Sequence, residues 1–165
     1  MRIERQKQQH TLCLSQEKYI EEVLDRFNMT DAKPPRVPLQ LHVKISKDNC
    51  PKSDAAANHM KDVPYKSVCD SLMYAMVANR PNIAHAKGVV YQFMANLGKA
   101  HWNAVKSILR YLKGTQGKCV CYGKSPLELK GFCDFDMVGD VNRRNSKSGY
   151  VYTLARCDIS WCSTI

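Results

Sequence analysis

Three carboxylates stand close together late in the sequence: Asp134, Asp136 and Asp140. In an extended strand, positions 134 and 136 project to the same side, so the pair could share a divalent cation. Cutting a phosphodiester with two metal ions needs more. Each ion takes several oxygen ligands and the phosphate bridges both, so the acids must come from several elements. After Asp140 the sequence offers one further acid, Asp158. One strand end supplies too few ligands, and acids flanking a turn are more often solvated turn formers. No Gly-rich phosphate loop and no Ser/His/Asp signature is present. The histidines fall in a hairpin turn (His10), a connection (His42, His59) and helices (His85, His101). At 85 and 101 they are expected to pack or hydrogen-bond, not to catalyse.

Eight cysteines stand at 13, 50, 69, 119, 121, 133, 157 and 162. No secretory signal precedes them, so their even number does not imply disulfides. Cys119-Val-Cys121 alternates in an expected strand, which turns both thiols to one face. Cys157 and Cys162 have no nearby histidine and lack a zinc spacing. Small buried thiols are the expected state, not a metal site.

Charge points to a polyanionic partner. Lys and Arg number 25 against 15 Asp and Glu, a net +10, and the excess is uneven. Residues 61–117 carry 8 basic and 2 acidic residues, or +6. Within them, a helix expected at about 99–113 places Trp102, Val105, Ile108, Leu109 and Leu112 near one azimuth. Lys99, Asn103, Lys106, Arg110 and Lys113 form a second stripe roughly 115° around. A helix packed on one side and cationic on the other can lie along a phosphate backbone. The plainer alternative is a solvated face whose cations suit the C-terminal helix dipole.

These residues must be positioned by α and β elements in sequence. Residues 1–14 read as a β-hairpin and 15–28 as a helix, with Ser15 as N-cap and Ile20, Val23, Leu24 and Phe27 on one face. Pro34, Pro35, Pro38 and Pro51 break residues 30–62 into an extended connection with at most one short strand, at Leu41–Ile45. Three helices follow: one opened by Pro64, one running from Pro81 to Leu97-Gly98, and the cationic helix ending at Gly114. From residue 117 the pattern is strands: 118–122, 127–135, 149–153 and 159–162, with a polar loop at 139–147. No helix follows to cover that sheet, which predicts low stability there and a chain cut from something longer. No stretch approaches the ~20 apolar residues of a membrane span, and the N-terminus is no signal peptide, so an intracellular, soluble chain is expected.

The ordered motifs resemble the Pol polyprotein of copia-type retrotransposons, especially plant elements, over nearly the whole chain. Leu14-Ser15-Gln16-Glu17-Lys18-Tyr19-Ile20 and Val23-Leu24-Asp25-Arg26-Phe27-Asn28-Met29 look like the segment after the polymerase palm. Ser71-Leu72-Met73-Tyr74-Ala75-Met76-Val77, Arg80-Pro81, Ile83-Ala84-His85-Ala86 and Ile108-Leu109-Arg110-Tyr111-Leu112-Lys113-Gly114-Thr115 look like the thumb and connection. Asp134, Asp136-Met137, Gly139-Asp140, Ser148-Gly149-Tyr150 and Ile159-Ser160-Trp161 look like the opening strands of RNase H.

The resemblance implies an α+β chain in four parts. Residues 1–29 would be an end-of-palm hairpin and a first thumb-like helix, and 30–62 a Pro-rich connection. Residues 63–116 would be a basic three-helix region, and 117–165 the strands of a truncated RNase H-like sheet. It implies Asp134 as the first Mg²⁺-binding, catalytic carboxylate of RNase H, with the rest of that site beyond Ile165. The Tyr-x-Asp-Asp polymerase motif would lie upstream of Met1. The chain alone is therefore expected to be inactive, to hold no Mg²⁺ stably, and to bind RNA–DNA hybrid or single strands weakly through Lys99, Lys106, Arg110 and Lys113. Runner-up readings are a domesticated interaction protein using exposed helix faces and, behind it, a Mg²⁺-dependent nuclease. Departures from the family at Asp70, Asn82, Lys87, Leu97, Ser107 and Arg144–Ser148 read as those of a decaying copy. Lys87 lies between Ile83 and Val90 on a broad apolar face, so its amine must snorkel out or weaken the packing.

Overall fold

The computed structural model describes residues 1–40, 43, 45–123, 125–136 and 146–164, without the side chains of 136 and 147. Strands β1 (Arg2–Gln6) and β2 (Thr11–Ser15) pair antiparallel, with Arg2 opposite Ser15. Helix α1 (Glu17–Arg26) starts at once: the Glu17 amide donates to Ser15 Oγ at 3.2 Å, and the N-cap is Gln16, one residue later than expected. Its end is a Schellman turn. Asn28 takes the left-handed conformation (φ 54°), its amide donates to Asp25 O, and the Met29 amide donates to Leu24 O at 2.8 Å. Ile20, Val23 and Leu24 are buried, as their spacing requires.

The connection is less extended than its prolines suggest. A 3₁₀ turn forms at Lys47–Asn49, where Asn49 Oδ1 accepts the Ser46 amide at 2.9 Å. Helix α2 (Asp54–Met60) follows, capped by Ser53 Oγ accepting the Ala56 amide. Its run of alanines carries no apolar period, and only Met60 is buried, so periodicity could not reveal it. The short strand expected at Leu41–Ile45 lies partly outside the described residues.

Helices α3 (Tyr65–Asn79), α4 (Ala84–Tyr91) and α5 (Lys99–Gly114) complete the helical body. Val68 and Leu72 of α3, Val90 of α4, and Val105, Ile108 and Leu109 of α5 are fully enclosed with Ile83 and Ile20. Helix α4 stops at Tyr91, six residues short of Leu97, although Phe93 still turns inward. Lys87 is 8% exposed and reaches the Tyr91 ring, its Nζ 4.1 Å from the centroid. Burial pushes its pKa down, and the neighbouring Cys69 and Asp70 pull it back up. The amine escapes by snorkelling onto an aromatic face.

Strand β3 (Val120–Tyr122) pairs with β2 instead of joining the later strands, so the sheet order is β1-β2-β3. That pairing sets Cys13 opposite Cys121, and the two form a disulfide. The expectation of buried free thiols is corrected here: among the free cysteines only Cys69 is buried, while Cys119 and Cys133 are exposed. Gly123 (φ 100°) leaves the strand where a Cβ would sit 1.9 Å from His10 O.

The second sheet holds β4 (Leu129–Asp136), β5 (Lys147–Leu154) and β6 (Cys157–Thr164), all antiparallel. It meets the first through β6: Tyr122 Oη donates to Asp158 O at 2.8 Å, and Cys157 Sγ to Cys121 O at 2.9 Å. Phe132 and Phe135 of β4 are 60% and 63% exposed. An odd spacing separates them, so both faces of that strand show an aromatic ring to water.

The β5–β6 turn has two central residues, Ala155 (φ 52°) and Arg156 (φ 64°). Type I′ geometry suits a right-twisted hairpin, but it favours Asn-Gly over Ala-Arg. A left-handed non-glycine residue costs about 1–2 kcal/mol. Arg156→Gly is therefore expected to raise unfolding free energy by about 1 kcal/mol in urea titration.

Candidate nucleic-acid interface and the Asp134 carboxylate

Helix α5 is fixed at both ends. At its start, His101 is fully buried and stacks on Phe93, centroids 4.1 Å apart. Its Nδ1 accepts the Gly98 amide at 3.0 Å, which leaves Nε2 to donate to Ser46 O at 3.1 Å. This is a capping box in which histidine replaces the usual Glu or Gln. Gly98 is required by close approach, for a Cβ there would lie 1.9 Å from Asn49 O. At the far end Thr115 Oγ1 donates to Tyr111 O at 3.0 Å. The buried Arg80 guanidinium donates from Nη2 to Gln116 O at 3.1 Å and Lys118 O at 2.9 Å, steering the chain into β3.

Between these anchors, His101, Ala104, Val105, Ile108, Leu109, Tyr111 and Leu112 face the core. The expected cationic stripe lies outside it. Lys99 and Asn103 are exposed; Lys106, Arg110 and Lys113 are half-buried along their stems. Lys106 Nζ sits 5.8 Å from the Trp102 ring centroid. Arg110 folds along its own helix, donating to Lys106 O and Ser107 Oγ, both at 3.3 Å. Among the described residues no carboxylate pairs with any of the four cations; the ion pairs found are Arg2–Glu4 and Lys130–Glu128. Four uncompensated charges on one rigid helix can neutralise phosphates.

Asp134 lies elsewhere, on exposed β4, opposite Gly149. A hollow of about 360 Å³ nearby is lined by Cys133, Phe135, Ser148, Tyr150, Cys162 and Thr164 as well as Asp134. Alternation puts most of those side chains on the face opposite the Asp134 carboxylate. The Asp136 side chain, Asp140 and the 139–145 part of the loop lie outside the described residues. Among the described residues no three His, Cys, Asp or Glu side chains gather to hold a metal ion. With the Asp136 side chain and Asp140 outside the described residues, no step is derived through Mg²⁺ at Asp134.

Sequence reasoning missed a cluster of buried polar groups beside the hairpin. Gln16, Asn79 and Arg80 are 1%, 5% and 3% exposed. Asn79 Nδ2 donates to Leu14 O at 3.0 Å. Both amide atoms of Gln16, Asn79 Oδ1 and Arg80 Nε find no partner among the described residues. No local signal marks them, because their burial depends on how the hairpin docks.

The chain is 53% identical over 165 residues to the retrovirus-related Pol polyprotein from transposon TNT 1-94 of Nicotiana tabacum. That alignment covers all of this chain and 12% of the relative. The Pol polyprotein from transposon RE1 of Arabidopsis thaliana is 35% identical over 153 residues, covering 92% of this chain and 10% of its own length. The chain is a homologue of plant retrotransposon Pol polyproteins. It spans only about a tenth of these relatives. A shorter relative, secreted RxLR effector protein 161 of Plasmopara viticola, is 42% identical over 105 residues, covering 63% of this chain and 74% of that protein. No family model and no solved structure matches. No helix among the described residues of this Pol homologue is long and apolar enough to cross a membrane.

The capping histidine makes this homologue sensitive to acid. Burial pushes the His101 pKa below its ordinary 6.5, while the bond to Ser46 O opposes that shift. The unfolded chain therefore binds the proton more readily. Stability is complete above pH 6.5 and is lost as pH falls from there through the lowered folded value. Urea titrations at successive pH values should show this decline, and His101→Gln, which keeps an acceptor for the Gly98 amide, should flatten it.

Proposed function

We propose that this chain is the end of a reverse transcriptase and the start of an RNase H. In this reading it contributes a nucleic-acid-contacting helix and no complete catalytic centre. One observation carries the proposal: α5 is buried along one face, clamped at both ends, and carries four cations without acidic partners on the other. Rigid placement matters because a pre-ordered cation loses less freedom on meeting a phosphate than one on a mobile loop. Homology to Pol polyproteins supplies the context in which such a helix meets RNA and DNA.

The exposed apolar residues fit the same reading. Tyr74 and Val77 on α3 are 50% and 63% exposed, and β4 shows aromatics on both faces. In a longer polyprotein these surfaces would be covered by flanking polymerase and nuclease segments. Asp134 would then be one ligand of a metal site completed by other elements, and the chain by itself would not turn over substrate.

Binding should be electrostatic and indifferent to sequence. If all four cations meet phosphates, log K should fall with log salt at a slope near −3, since each contact contributes about −0.7 to −0.9. Changing Lys106, Arg110 and Lys113 together to Ala should remove about two units of that slope for an RNA–DNA hybrid. Fluorescence anisotropy across salt concentrations measures it, and equal binding by the triple variant would refute the stripe. Asp134→Asn should leave binding intact. Hybrid cleavage by the purified chain with Mg²⁺, abolished by Asp134→Asn, would overturn the claim that the chain is catalytically incomplete.

A further inference from the structure

Three of the described cysteines gather at one place. Cys13 and Cys121 face each other across β2 and β3, and their disulfide joins positions 108 residues apart. Cys119 is exposed, and its Sγ lies 3.5 Å from Cys121 Sγ. The disulfide sulfur of Cys121 carries no proton, so the Cys119 thiol is the donor in that contact. An open cavity of about 620 Å³ beside the hairpin is lined by both Cys13 and Cys119, so solvent reaches the pair. Cys157 is also close, but its thiol donates to Cys121 O at 2.9 Å, a contact with backbone and not with sulfur.

We propose that Cys13, Cys119 and Cys121 form a thiol–disulfide exchange site, with Cys119 as the attacking thiol and Cys121 as the shared sulfur. The Cys119 thiolate attacks Cys121 Sγ. A bond forms between Cys119 and Cys121 while the Cys13–Cys121 bond breaks. The electron pair leaves on Cys13 Sγ, which takes up a proton equivalent to the one Cys119 lost. Nothing is oxidised or reduced overall, so no co-reactant is needed.

The two bonded states differ in what they hold. A Cys13–Cys121 bond clamps the N-terminal hairpin to the strand that leaves α5. A Cys119–Cys121 bond closes within three consecutive residues at the start of β3 and removes the covalent link between β2 and β3. Access through the cavity also makes Cys13, once released, the thiol open to modification by a small disulfide such as oxidised glutathione. The exchange should speed up with pH, because the thiolate is the nucleophile.

Peptide mapping of the full chain tests this. Trypsin without reduction separates Cys13, in peptide 8–18, from Cys119 and Cys121, both in peptide 119–124. The oxidised protein is held at about pH 6 or about pH 8.5, where thiolate fractions differ widely, then acid-quenched and labelled with N-ethylmaleimide. At the higher pH, part of the cross-linked peptide pair should convert to an internally bonded 119–124 peptide, with label appearing on Cys13. Cys119→Ser, at an exposed position, should retain the cross-link and leave Cys13 unlabelled. Cys157→Ser should exchange like the parent. A cross-link that persists in the parent at high pH with label on Cys119, or exchange that depends on Cys157 instead, would overturn the proposal.

Discussion

Burial of one face of α5 is the constraint on which the rest of the molecule depends. Val105, Ile108 and Leu109 are wholly enclosed, each contributing about 1.5–3 kcal/mol by removal from water. That burial fixes the rotation of the helix and so decides which side chains remain outside. The cationic stripe is outside because the apolar stripe is inside. The anchors at each end then set its height. Gly98, His101 and Ser46 hold the start against the 3₁₀ turn of the connection, and Arg80 holds the exit. The exit leads within six residues into β3, so the same helix positions the strand that closes the first sheet.

The seam where hairpin, α3 and the 116–118 segment meet is held differently. Its buried groups are polar, and several atoms of Gln16, Asn79 and Arg80 are unpaired among the described residues. A buried donor or acceptor without a partner costs about 1–3 kcal/mol. The seam therefore opens more easily than the helical core, and it is joined covalently by the Cys13–Cys121 bond. Cross-linking positions so far apart constrains the unfolded chain by several kcal/mol, which offsets the weak polar packing.

Local patterns were legible in the sequence, and pairings between distant segments were not. Most of the apolar period of α1 and of α5 is buried as spaced, with Phe27 just past the end of α1 and Trp102 only half-buried, because each period is set by 100° spacing within a single element. The hairpin of β1 and β2 was equally local. Helix α2 escaped because alanines carry no period, and α4 was drawn too long because Phe93 stays buried in a turn beyond the helix. The partner of β3, the disulfide that follows from it and the buried Gln16–Asn79–Arg80 cluster all depend on how separate segments dock. Within the stripe, the sequence identified the cations but not the clamps. The role of His101 emerges only when Ser46 O, 55 positions earlier, is seen to accept a hydrogen bond from its ring.

The C-terminal sheet holds Asp134 less firmly than the helical body holds the cations of α5. Catalysis by metal ions requires ligands held to within about half an ångström by packed neighbours. Phe132 and Phe135 lie on opposite faces of β4 and both meet water, so neither face of that strand is packed. Asp134 stands between them on a strand at the sheet edge, supported on one side by β5 alone. The sheet reaches the helical body through β6, two strands away. Asp134 is therefore held by one neighbouring strand, with neither face of β4 packed. Covering this sheet would fix Asp134 more firmly, whereas the α5 stripe already has the packing that fixes its geometry.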